Sequence, residues 1–391
     1  MLYRRFGRTN LQMPVFTCGG MRYQHSWKKT DKPTTESLKR VEDIVMHSLK
    51  QGINHFDTAN GYGTGEKELG QILKNVDRDS FILQSKVPLR EDTSMFMKMF
   101  DESMSLLQVD YLDMFSLHGI NNHELLDLTL RKNGCMDTAL KLKSEGRIRN
   151  IGFSTHAPVE VIMDTIGSGL FDYVNLHWFY IFQDNWPAII EAKENDMGVL
   201  IISPNDKGGM LYKPSEKLRK LTYPLSPMVF NDIFCLSRPE IHTLTIGASE
   251  PATFDEHVNA LEYYVKYNKL IPQINAKLMA EFRSTLGIEW ASTWHEGLPK
   301  WHETPGNINI PTILFLWNIA QAYDMVEYSR MRFNLMGNAD HWFPGNRPAN
   351  LDSYDFAECL KNSPNGKLIP GILKDAFALL SGKEAKRLGS H

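Results

Sequence analysis

Eight short apolar runs, separated by stretches of helical periodicity, constrain this chain more than any other feature. They cover residues 15–18, 53–57, 81–87, 112–118, 149–154, 173–178, 199–203 and 244–247. Runs this short, bounded by turns, predict strands buried on both faces in a parallel sheet. The intervening stretches 35–51, 65–76, 93–107, 137–144 and 159–168 predict helices. In the first of them Leu38, Val41, Ile44, Val45 and Leu49 repeat at the three-and-four spacing of one buried face. Eight strand–helix units in about 250 residues match the size of an α/β (β/α)8 TIM barrel. A doubly wound sheet is the alternative, disfavoured because no Gly-x-Gly-x-x-Gly turn follows the first run.

Four polar residues sit where apolar runs end. Asp57 closes Ile53-Asn54-His55-Phe56, and Tyr62 follows in the turn Asn60-Gly61-Tyr62-Gly63. Lys86 lies near the end of the third run, and His118 closes the fourth. In a parallel barrel the functional groups gather at the carboxyl ends of the strands. A tyrosine beside a lysine, with an acid and a histidine close by, suits proton delivery to a carbonyl. A free phenol, with a pKa near ~10, is a poor acid at neutral pH. A lysine ammonium is expected to lower it, with Asp57 holding Lys86 and His118 orienting the carbonyl oxygen. The structural alternatives are an ion pair for Asp57 and Lys86, simple turn packing for Tyr62, and a core histidine for His118.

The charge balance, 43 basic against 46 acidic residues, gives no support for nucleic acid or an anionic membrane as the main partner. No apolar run approaches the roughly 18 residues of a membrane span, and the first residues lack a signal-peptide pattern. Cys18, Cys135, Cys235 and Cys359 show no paired spacing, so neither a disulfide nor a metal site is expected, and a cytoplasmic setting is.

The first ten residues predict a hairpin under the barrel, turning at Gly7-Arg8-Thr9-Asn10. The long connections 21–34 and 119–134 read as loops on the active face. Trp178, Phe179, Tyr180 and Trp186 read either as an aromatic wall for a flat or apolar carbonyl, or as core or contacts to the C-terminal extension. His156 and His177 also lie toward that face. The expected organisation is a barrel over 1–265 and a mostly helical extension over 266–391. The extension contains a faint repeat: Pro305 and Pro364 each begin a Pro-x4-Ile-Pro phrase that runs into an apolar helical stretch.

These phrases resemble the aldo-keto reductases over nearly all of residues 1–265. The resemblance is carried by Tyr3-Arg4-Arg5-Phe6-Gly7-Arg8-Thr9, by residues 52–63, by Glu66-Lys67-Glu68-Leu69-Gly70 and by Gln84-Ser85-Lys86-Val87. Residues 111–118, Gly146-Arg147-Ile148-Arg149-Asn150-Ile151-Gly152-Phe153-Ser154 and Ile246-Gly247-Ala248-Ser249 extend it. It implies a barrel using NADPH, with NADH possible, to reduce aldehydes or ketones. Asp57, Tyr62, Lys86 and His118 form the implied tetrad, with Tyr62 as general acid. It also implies that Ser154 and Asn175 hold the nicotinamide carboxamide, while Ser203, Pro204 and Asn205 pass the ring and pyrophosphate. Gly247, Ala248 and Ser249 would meet the adenosine-side phosphate and Glu256 the adenine. Relatives that prefer NADPH place a base beside that turn; residues 249–256 have none, so either a base arrives from elsewhere, with Lys207 and Arg238 as candidates, or the preference for NADPH is weak.

The extension is similar to a ferredoxin-like module with two iron–sulfur clusters. The ligand positions before Pro305 are Trp294, Gly297, Lys300 and Thr304, and before Pro364 they are Ser353, Phe356, Cys359 and Ser363. Clusters need thiolates, so none is expected. The rival to an enzyme is a nicotinamide-binding regulatory or scaffold protein that docks a partner through the extension.

Overall fold

The computed structural model describes residues 1–337, 343–347 and 350–382. A hairpin comes first: β1 (Tyr3–Arg5) pairs antiparallel with β2 (Gln12–Pro14) around a 3-10 turn over Gly7–Thr9. Eight parallel strands follow: β3 (Phe16–Gly19), β4 (His55–Asp57), β5 (Ile82–Pro88), β6 (Leu112–His118), β7 (Ile148–Ser154), β8 (Tyr173–Leu176), β9 (Gly198–Ile202) and β10 (Thr243–Gly247). β10 pairs with both β9 and β3, which closes the barrel. Phe6 from the hairpin joins Met13, Ile82, Met114, Tyr173 and Leu200 in one buried cluster. It lies against Gly198 at the start of β9, so the hairpin covers the amino ends of the strands.

The helices of this unit are α1 (Thr35–Lys50), α2 (Gly65–Leu73), α3 (Thr93–Leu107), α4 (His123–Leu130), α5 (Cys135–Ser144), α6 (Val159–Gly167) and α7 (Trp186–Glu194). α1 starts where Thr34 accepts a hydrogen bond from the Ser37 amide, and it buries Ser37, Val41, Ile44, Val45 and Ser48. The connection 119–134 is not a loop throughout. Asn122 Oδ1 accepts from the Leu125 amide at 2.8 Å and starts α4 within it.

The chain packs as two compact units, and the second comprises Gly209–Pro227 together with Asn268–His391. Assignment of the inserted segment to the second unit departs from the expected boundary at 265, for a physical reason. In that segment, α8 (Glu216–Thr222) is N-capped by Ser215, whose Oγ also donates to the Tyr323 carbonyl at 2.7 Å. Lys217 pairs with Glu281 at 2.6 Å. Chain neighbours alone do not reveal bonds that span roughly a hundred residues.

α9 (Pro227–Leu236) and α10 (Thr253–Tyr264) precede the remaining helices, α11 (Tyr267–Leu286), α12 (Ile288–Thr293), α13 (Ile310–Tyr323), α14 (Val326–Leu335) and α15 (Ile369–Leu380). The two Ile-Pro phrases open α13 and α15 with Pro in the first turn, where its missing N–H costs nothing. Among the described residues, no helix is long and apolar enough to cross a membrane.

Candidate active site

Strand register assembles the candidate residues in rows. Asp57 lies opposite Gly19, which lies opposite Gly247; His118 lies opposite Ser154, which lies opposite Asn175. All are at or beside the carboxyl ends of their strands. Past β4 the chain keeps to β5: the Thr58 and Asn60 amides donate to the Gln84 and Lys86 carbonyls, each at 2.9 Å. The turn then places Tyr62. Gly63 adopts φ +54, and a Cβ there would lie 2.0 Å from the Ser26 carbonyl oxygen, so both conformation and space demand glycine.

Lys86 is buried and ion-paired with Asp57, and its Nζ also donates to the Thr58 carbonyl at 3.0 Å. Its Nζ also lies over the Tyr62 ring, 5.4 Å from the ring centre. The Tyr62 and His118 rings meet edge to face at 6.1 Å. These contacts unite the four residues. Burial works against the Lys86 ammonium, but Asp57 and Tyr62 together hold its pKa above the ordinary value.

Tyr62 corrects an expectation. It keeps some exposed surface, yet desolvation of its hydroxyl pushes its pKa up, and Lys86 offsets only part of that rise. The Lys86 charge is already balanced by Asp57, which itself adds to the rise. A single paired ammonium therefore does not outweigh burial.

Beneath this layer the barrel interior is polar. Thr17 Oγ1 lies 2.7 Å from His55 Nδ1 and 2.8 Å from Thr243 Oγ1; Gln84 Nε2 donates to Ser116 Oγ, which meets the Tyr173 hydroxyl at 2.9 Å. Burial first, then Lys86, drives the His55 pKa down to about 3, so the imidazole is neutral. Beside the tetrad, Glu66 accepts from Ser85 Oγ at 2.5 Å and Ser103 Oγ at 2.9 Å, and burial raises its pKa to about 7. Burial also pushes the Cys18 thiol up to about 12, as fits an inert core cysteine.

The expected cofactor residues divide. Asn175 is fully buried, and neither its side-chain oxygen nor its nitrogen has a partner among the described residues. A buried amide unsatisfied at both atoms fits a missing carboxamide, which would supply one donor and one acceptor. Ser154 adjoins it, although its Oγ already accepts from the Gly119 amide at 3.2 Å. Ser203 carries φ +55, and a Cβ on Gly208 would lie 2.0 Å from the Pro204 carbonyl oxygen, so the turn after β9 is tight. Asn205 Nδ2 donates to His257 Nε2 at 2.9 Å. Gly247 ends β10, followed by buried Ala248 and exposed Ser249; Glu256 lies in the first turn of α10.

Of the two bases considered, Arg238 is not on this face. Arg4 of the hairpin donates to its carbonyl, and its guanidinium lies over Trp186 at 5.4 Å. Lys207 is on this face: its Nζ lies 2.9 Å from His177 Nε2 and 3.3 Å from His156 Nδ1, beside two imidazoles stacked at 4.8 Å. The base that sequence reasoning missed is Arg22. Its Cγ would lie 2.9 Å from a Cβ on Gly247, and its guanidinium approaches Asp206 at 3.5 Å. Its place in a connection leaving a strand's carboxyl end was the available signal. Trp178 and Phe179 are core: Trp178 stacks on Phe234 at 4.8 Å and meets Trp186 at 5.2 Å.

In the second unit, Cys359 Sγ donates to the Phe356 carbonyl, and the eight positions quoted above hold one thiol. That donor set does not fit iron–sulfur clusters. Among the described residues, no group of three or more His, Cys, Asp or Glu is placed to hold a metal.

The chain is 30% identical to L-galactose dehydrogenase of Arabidopsis thaliana over 174 residues, 41% of this chain and 53% of that one. It is 24% identical to an uncharacterized oxidoreductase of Bacillus subtilis over 262 residues, 58% and 83% of the respective chains. The first of these matches thus spans only about half of its relative. The fold is shared with an aldo/keto reductase of Klebsiella pneumoniae solved with NADP and acetate, with a TM-score of 0.54 at 19% identity over 69% of this chain and 95% of that one. The aldo/keto reductase family model matches residues 16–220, more than half of the 391 residues, and the chain belongs to that family.

Proposed function

We propose that this protein is a nicotinamide-dependent reductase of aldehydes or ketones, with Tyr62 as its general acid. The observation that carries the reading is the buried Lys86, which is ion-paired with Asp57 and lies over the Tyr62 ring. A bound NAD(P)H supplies the hydride. Tyr62 stays protonated through the neutral range, so its proton is available when negative charge develops on the carbonyl oxygen. Lys86 stabilises the phenolate left behind and is in turn held by Asp57. His118, edge-on to the Tyr62 ring, orients the carbonyl. Asn175 and Ser154 would take the carboxamide, and Arg22 and Lys207 would meet the cofactor's phosphates. Arg22 is exposed and the Ser249–Glu256 stretch is acidic, so the reading includes both NADPH and NADH. The second unit is read as a ferredoxin-like relic without clusters; iron and acid-labile sulfide in anaerobically purified protein would overturn that.

The test follows absorbance loss of NADPH, and separately NADH, against aldehydes, ketones and quinones, with Tyr62→Phe as control. Consumption that depends on Tyr62 and holds level through neutral pH, declining only in the alkaline range, is expected. Tight dinucleotide binding without turnover would favour the regulatory role instead.

A further inference from the structure

We propose that Asp232 and His257 form a buried positioning pair that fixes the amide of Asn205, so that Asn205 presents a carbonyl acceptor to a hydroxyl or amine of the dinucleotide. The inference rests on the nicotinamide-dependent reading above. Asp232 lies within α9 and His257 within α10, and both are fully buried. His257 Nδ1 is 2.5 Å from Asp232 Oδ2, and its ring is held against Phe16, with centres 5.7 Å apart. Burial raises the Asp232 carboxyl above its ordinary value, and His257 pulls it back.

The direction of each hydrogen bond follows from the one before it. With Nδ1–H of His257 donating to the carboxylate, Nε2 faces Asn205 as an acceptor. Asn205 must then turn its NH2 toward the ring, and Nδ2 lies 2.9 Å from Nε2. Its Oδ1 is excluded from solvent and has no partner among the described residues. An amide left to itself could face either way; the chain of donors removes that choice. Both bonds run from side chain to side chain, so no helix end or strand edge is completed by them. Burying an acid and an imidazole is costly, and here no backbone group gains from it.

The orientation selects a chemistry. A carbonyl oxygen repels phosphate oxygens, so the turn after β9 is not built at Asn205 to hold the pyrophosphate. It suits an O–H or N–H donor, as a ribose hydroxyl or an exocyclic amine provides.

The experiment measures the Kd of NADPH and of NADH by fluorescence titration on the full chain, with circular dichroism as a check on folding. In Asp232→Asn the new amide donates to Nδ1, moves the ring proton to Nε2 and reverses Asn205. The Kd should rise about tenfold. Adding Asn205→Asp restores an acceptor facing the ligand at unchanged net charge, and the double variant should regain most of the lost affinity. A pair that merely supports the fold would show no such rescue. Asn205→Leu leaves the Asp232–His257 hydrogen bond in place, and it should weaken binding by a similar factor even if Asp232→Asn does not fold. Wild-type affinity in Asn205→Leu or Asp232→Asn, or a double variant no tighter than Asp232→Asn, would overturn the proposal. Failure of the unaltered protein to bind either dinucleotide would overturn it together with the nicotinamide reading.

Discussion

Buried polar groups serve different ends in the two units. In the second unit most of them complete the backbone. Asn309 caps α13 by accepting from the Thr312 amide, Thr304 Oγ1 donates to the Ile308 carbonyl, and Asn334 Nδ2 donates to the Arg330 and Leu380 carbonyls. The buried face of α13 is otherwise mostly apolar, with Ile310, Ile313, Leu314, Leu316 and Ile319, although Asn318 on it accepts from Trp290 Nε1. In the barrel, Thr17 bonds to His55 and Gln84 to Ser116 and on to Tyr173 across the interior, and the side-chain amide of Asn175 bonds to no described residue. Polar burial that completes a helix end is explained by the fold. Polar burial that the backbone does not use needs another explanation, and in the barrel it surrounds the candidate tetrad.

The largest effect should come from the barrel. Tyr62→Phe should lower kcat about 10²- to 10⁴-fold while leaving dinucleotide Kd nearly unchanged, as read by steady-state kinetics and titration. Unchanged kcat would remove the functional half of the contrast. Next, Asp57→Leu leaves a buried ammonium without its carboxylate and should cost about 3–5 kcal/mol in denaturant unfolding, with Lys86→Met in the same background restoring part of it. In the second unit, Leu314→Ala should cost about 2–5 kcal/mol through the cavity it leaves. Hydrogen exchange should place that loss in α13–α15, and a loss centred on the barrel strands instead would break the comparison.

The smallest effect is in pH dependence. The Glu66 carboxyl is raised from 4.5 to about 7 in the folded protein, so between those values the folded state binds the proton more tightly than the unfolded chain. Its contribution to stability is therefore full below pH ~4.5 and is lost as pH rises through about 7. Glu66→Gln should flatten the fall in Tm between pH 5 and 8, by an amount worth a few kcal/mol at most. An identical pH profile in the variant would show that this carboxyl is not held as the geometry implies.

What was legible in the chain was periodic and local. Eight apolar runs predict eight strands because a strand buried on both faces must be apolar along its length. The tetrad was visible because parallel barrels present their strand ends on one face, and Asp57, Lys86 and His118 are each at or near such an end. Apolar spacing also marked α1, expected over 35–51 and observed over Thr35–Lys50, whereas the Asn122 cap that opens α4 was passed over in a stretch read as loop.

Tertiary structure decided what depends on distant contacts. Arg22 reaches Gly247, Asn205 reaches His257 and Asp232, and Ser215 reaches Tyr323 across separations that no periodicity encodes. The sign of the Tyr62 shift belongs here too. From the residue types alone, Lys86 beside Tyr62 predicts a lowered pKa; only the packing reveals that desolvation exceeds the pull of an ammonium already paired with Asp57. Sequence by itself determined the barrel and the strand-end placement of the candidate tetrad, because hydrophobic period and strand-end position are properties of short segments. Proton affinity, amide orientation and the membership of 209–227 were left to the fold, because each is set by atoms that the chain brings together only after it closes.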